Sequence, residues 1–101
     1  MGKSVENSNN GQKTAETLAA QAFSWVADDA DRLNAFMAMT GAAPADLVRN
    51  ATSPAFLGTV LDFILTEDAL VMAFCDDRGY PYPAPMQARA MLPGGEQWNW
   101  T

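Results

Sequence analysis

From about residue 14 onward, apolar side chains recur at intervals of three and four, and no segment alternates with period two over the length of a strand. Leu18, Ala22, Trp25 and Val26 share one face, which predicts a first helix from Thr14, its N-cap, to about Ala27. Asp28 or Asp29 then caps a second helix whose buried side is Leu33, Phe36, Met37 and Thr40, and Gly41 follows its last turn. Pro44 opens a short helix reaching about Ala51. Ser53–Pro54 repeats that start signal for a fourth, Pro54 to Leu65, which is apolar nearly all round and therefore belongs at the centre of a bundle. Thr66, followed by Glu67 and Asp68, caps a fifth helix carrying Leu70, Val71 and Phe74 and stopping at Gly79. Three prolines make 80–85 a connector, and a last helix runs from about Pro83 to Leu92, ended by Pro93-Gly94-Gly95. The expected fold is all-α: a compact bundle of five or six short helices, with a disordered N-terminal tail over 1–12, the helical domain over 13–93 and an aromatic C-terminal tail over 94–101.

A shift of 38 residues lays one half of this pattern over the other. Leu18 falls on Phe56, Ala22 on Val60, Trp25 on Phe63, Val26 on Ile64, Asp29 on Glu67, Phe36 on Phe74, Gly41 on Gly79 and Val48 on Met86. Each half reads as apolar helix, acidic cap, a helix ending in Phe-x4-Gly, then a Pro-containing turn and a short helix. Two three-helix units in a pseudo-repeat would produce that pattern. Two unrelated amphipathic stretches would share some of it.

The chain has 101 residues, room for one modest core. Twelve Asp and Glu against six Lys and Arg give a net charge of −6. Nucleic acid and anionic membrane surfaces are poor partners for such a chain, since both reward clustered cations. The stretch from Phe56 to Cys75 approaches the length of a membrane span. It carries Asp62, Glu67 and Asp68, each costing about 2.5–3.5 kcal/mol at a bilayer centre. No membrane span is expected.

Catalytic chemistry finds little to work with. There is no histidine, the commonest proton shuttle and metal ligand. The single cysteine, Cys75, sits among acidic and apolar neighbours that disfavour a thiolate, and it allows no intrachain disulfide, which fits a reducing cytoplasm. No calcium loop, phosphate loop or serine-nucleophile motif is present. We expect no enzyme, no cofactor and no metal site. The acids at 28, 29, 31, 67 and 68 read as helix caps. Asp76 and Asp77 are different, because carboxylates in a last helical turn oppose the helix dipole with only Arg78 at hand. They form either a solvated acidic end or a contact for a basic partner, and Trp98 and Trp100 in the C-terminal tail either fold back onto the bundle, meet a partner or a second copy, or stay flexible.

Thr17-Leu18-Ala19, Trp25, Phe36-x4-Gly41-x2-Pro44-x2-Leu47, Pro54-Ala55-Phe56-Leu57, Val60 through Leu65 and Met91-Leu92-Pro93-Gly94-Gly95 together resemble the bacterial domain of unknown function 3572 over about residues 14–95. The resemblance implies a short helical protein of the bacterial cytoplasm, of a kind met mainly in alphaproteobacteria. It brings no activity or site residue with it. The expected function is accordingly a non-enzymatic protein-interaction or accessory module binding a basic or apolar surface of another protein. The alternatives are a small-ligand-binding bundle, with Met37, Met39, Met72, Met86 and Met91 lining an adaptable pocket, and a helix-turn-helix-like regulator built on the corner at Gly41.

Overall fold

The computed structural model describes the backbone of residues 3–92 and the side chains of residues 11–92. Within them lie six helices and no strand: α1 (Lys3–Ala27), α2 (Ala30–Thr40), α3 (Pro44–Asn50), α4 (Pro54–Ile64), α5 (Asp68–Arg78) and α6 (Ala84–Ala90). The fold is all-α, as the periodicity predicts. Its punctuation follows local chemistry. Asp29 accepts hydrogen bonds from the Asp31 and Arg32 amides at 2.9 and 3.1 Å, supplying acceptors for donors that a helix start leaves over. Gly41 and Gly79 end α2 and α5 at φ +75° and +78°, where a Cβ would be strained, and return their amides to the Met37 and Cys75 carbonyls. Ser53 caps α4 and Pro54 fills its first turn.

Three boundaries differ from expectation. Thr14 is not a cap, because α1 continues back to Lys3 through positions assigned to a tail. Segments without an apolar face can still extend a helix that packing has nucleated further along, since each added residue contributes a hydrogen bond. Gly11 marks the passage: a Cβ there would lie 2.6 Å from the Met91 methyl group, so its bare backbone lets α1 run close to the end of α6. Thr66 is not the cap of α5 either; Glu67 is. The Thr66 hydroxyl instead donates to the Phe63 carbonyl at 2.7 Å, closing the end of α4. Finally, α6 stops at Ala90, with Leu92 buried just beyond it.

α4 is the hub, packing against α1, α2, α5 and α6, and its most extensive contact is with α1. On α1 the small residues Ala15, Ala19 and Ala22 are buried along one face and let neighbouring helices approach closely. Phe56 makes T-shaped contacts with both Phe23 and Phe36, with centroids 5.3 and 5.8 Å away, and Phe36 reaches on to Phe63 at 5.6 Å. The apolar faces expected on the first five helices are buried except at Leu33, Met37, Leu70 and Val71, which are half-buried and pack on the core, and at the half-buried Leu65 where α4 ends. Asp62, the one charge on α4, is held by Arg89 of α6 through two hydrogen bonds of 2.6 and 3.2 Å. That fork pins α6 across the apolar helix.

The 38-residue repeat recurs in the architecture. Shifting α2 (Ala30–Thr40) by 38 gives α5 (Asp68–Arg78), residue for residue, with the acidic N-cap and left-handed glycine carried along. Val26 and Ile64, Ala22 and Val60, Phe36 and Phe74, and Leu47 and Pro85 are buried in pairs, while Val48 and Met86 are both strongly exposed. Packing is reciprocal as well: α1 meets α5 as α4 meets α2. The third helices break the symmetry, because α6 lies across both α1 and α4 whereas α3 buries only Leu47.

Candidate functional site

The end of α5 was singled out by its misplaced acids, and there Asp77 has an internal task. Trp25 is 2% exposed, so its indole N–H needs an acceptor, and Asp77 Oδ2 receives it at 2.8 Å. Phe74 meets the same indole in a T-shaped contact at 5.7 Å, and the Arg32 guanidinium lies 3.8 Å from the ring centroid. Arg32 also donates to the Trp25 carbonyl at 2.9 and 3.2 Å, in the last turn of α1. Arg78 reaches away from its acidic neighbours to Gln21 of α1 and to Asp28 in the turn that follows it, each at 2.9 Å. The dipole penalty of an acid at position 77 is thus offset across the helix interface, by a partner 52 residues away that periodicity does not reveal.

Asp76 points elsewhere. Its Oδ1 accepts the Tyr82 hydroxyl at 2.9 Å, and that bond, with the nearby negative charge, pushes the tyrosine's ionisation above its ordinary range. Burial, and then Asp76, likewise push the Cys75 thiol up, while its Sγ lies 3.5 Å from the Pro81 carbonyl oxygen. Both effects hold the group in its neutral form, the opposite of what a nucleophilic thiolate requires.

Tyr82 opens onto a cleft of about 520 Å³ between α5, the connector and α6. Leu65, Val71, Met72, Tyr82 and Met86 give it an apolar lining, and Asp68 stands at its edge. Met72, Tyr82 and Met86 are 45%, 49% and 67% exposed, so half of the six large hydrophobic side chains exposed among the described residues converge here. A smaller cleft of about 330 Å³ lies on the other side of α6, against α1, bordered by Gly11, Leu18, Tyr80 and Met91. Of the five methionines expected to line a pocket, Met72 and Met86 meet in the first cleft and Met91 borders the second. Met37 packs on the core, and Met39 is exposed on α2.

The helix-turn-helix-like corner is a packed one. Thr40 donates its hydroxyl to the Phe36 carbonyl and accepts the Ala42 amide, while Asp46 accepts the amide of Ala43. The exposed side of α3 offers Val48 and Arg49, with Asp46 3.7 Å from the Arg49 guanidinium. Among the described residues no three His, Cys, Asp or Glu side chains gather as metal ligands, and no helix is long and apolar enough to cross a membrane. Trp98 and Trp100 lie outside the described residues. Sequence reading missed the cleft as a place, though one signal for it was present: Asp68, Met72 and Asp76, four residues apart, alternate acid, apolar, acid along one face of α5.

No curated protein and no solved structure matches the chain. A family model described as "Protein of unknown function (DUF3572)" matches residues 12–95, from the turn of α1 that passes Met91 to just beyond α6, and the chain belongs to that family.

Proposed function

We propose that this protein is a non-enzymatic accessory module that binds another protein through the cleft between α5 and α6. The observation that carries the reading is the convergence of Met72, Tyr82 and Met86 on one concavity. Single exposed hydrophobics are ordinary on a protein surface; several sharing one cleft, floored by Leu65 and Val71, form a patch that a partner can bury. Methionine suits such a surface because its unbranched side chain repacks around different occupants. Absence of histidine and a thiol held protonated argue against chemistry. A reducing, cytoplasmic setting fits the lone Cys75.

The acidic contact narrows from the sequence reading. Asp77 serves Trp25, so the carboxylates assigned to a partner are Asp76 and Asp68. Trp98 and Trp100 are a second proposed contact. Affinity capture from a native lysate tests both parts. Met86→Glu, at an exposed position, should leave the thermal melt unchanged and lose the captured partner, and removing the chain after Gly95 should weaken capture. Capture undiminished by Met86→Glu would remove the cleft from consideration.

A further inference from the structure

The cleft between α5 and α6 carries charge as well as apolar surface, and the two are arranged in order. Asp68, Met72 and Asp76 stand on one face of α5, so the carboxylates are separated by about 12 Å along the helix, at ~1.5 Å per residue. Asp68 lines the cleft and has no hydrogen-bond or ion-pair partner among the described residues. Asp76 gives one oxygen to Tyr82, itself a lining residue, and keeps the other available. No Lys or Arg among the described residues lines the cleft. The nearby arginines of α5 and α6 are engaged elsewhere, Arg78 with Gln21 and Asp28, Arg89 with Asp62 and the Leu92 carbonyl.

We infer that the occupant is an amphipathic helix of another protein that carries two basic residues about two turns apart with apolar residues between them on the same face. This inference rests on the cleft being the docking surface proposed above. Charge sets the ends: two cations about seven residues apart span ~10.5 Å on a helix, which matches Asp68 and Asp76 within the reach of a Lys or Arg side chain. The apolar residues between them meet Met72 and Met86. Backbone chemistry sets the form. The two long walls, α5 and α6, pair their backbone groups within each helix, and the connector between them is a turn rather than a strand edge, so an extended segment laid there would find no ladder to join. A helix brings its own hydrogen bonds satisfied. The corresponding positions of the first half, Ala30, Asn34 and Ala38 on α2, lack both the carboxylates and the methionine, so the feature belongs to the second half alone.

Titration of the full chain with a synthetic alanine-rich helical peptide tests this directly. The probe bears two arginines about seven residues apart, ~10.5 Å on a helix, with leucines between them on that face. One control peptide replaces the arginines by glutamates, and another replaces the leucines by alanines. The arginine–leucine peptide should bind, weaken as salt is raised, and exceed the glutamate control by tenfold or more, a few-fold for each of two exposed ion pairs and more from repulsion. Asp68→Lys and Met86→Glu, each at an exposed position and checked for unchanged helicity, should each weaken it by at least about fivefold. Equal binding of the arginine and glutamate peptides, no binding of either, or affinity indifferent to both substitutions overturns the inference. So does a dimer of this chain that Met86→Glu dissolves, which would assign the cleft to a second copy. If lysate capture depends on Met86 while the peptides show no preference for arginine, only the basic helix falls and the docking surface stands. If capture is indifferent to Met86, the docking surface itself falls.

Discussion

Trp25 shows how one residue of α1 recruits charges from two other helices, Arg32 of α2 and Asp77 of α5. An indole buried to 2% exposure brings a large apolar area into the core but leaves one N–H to satisfy, and the acceptor comes from Asp77 at the far end of α5. Asp77→Ala removes that acceptor, and the buried donor should then cost about 1–3 kcal/mol in urea unfolding. Asp77→Asn keeps a carbonyl oxygen in place and should lose appreciably less. If alanine and asparagine prove equally harmless, the carboxylate does not support the indole, and its earlier assignment to a partner surface regains force. Read from sequence, this carboxylate looked like an uncompensated charge in a last turn. Its compensation lies across the bundle, and helical periodicity reports which face of a helix is buried, not what it meets.

At the scale of the helix, the local signals are faithful where the chemistry is short-range. Gly41 and Gly79 hold left-handed conformations with nothing within 4 Å of an added Cβ. Alanine at either position therefore meets no clash, and the cost is backbone strain alone, about 1–2 kcal/mol each. Asparagine, which tolerates that conformation better, should recover part of the loss. Equal costs at the two sites, measured by thermal melts, would match their equivalence in the repeat; a neutral Gly79→Ala would mean that α5 can end another way. Caps at Asp29 and Ser53, stops at both glycines and the prolines at 44 and 54 were all legible, because each involves residues within a turn of one another. The start of α1 was not. Its first turns have no apolar stripe in the sequence to announce them, and the contact that marks the passage, Gly11 against Met91, joins opposite ends of the chain. The cleft was legible only as an acid–methionine–acid row on α5: its methionines were recognised as adaptable, but which of them share a cavity depends on how the connector sets α6 against α1 and α4.

For the whole molecule the decisive question is whether a repeated pattern means two domains or one. A unit of about fifty residues, such as either half, is close to the lower limit at which a helical core sustains itself. Here the halves do not keep separate cores. α4 of the second half makes its largest contact with α1 of the first, α6 lies across both, and Phe56 of α4 is gripped between Phe23 and Phe36 of α1 and α2. The interface between repeats is the core. The chain should therefore unfold in one cooperative transition, with calorimetric and van't Hoff enthalpies in agreement. Phe56→Ala sits on the seam, and as a large core truncation it should cost about 3–5 kcal/mol. Because both halves depend on that ring, the whole transition should move to lower denaturant while staying single. A variant curve that splits in two, one step retaining the wild-type midpoint, would show that a three-helix unit stands unaided, and the two halves would then have to be treated as separate domains that merely touch.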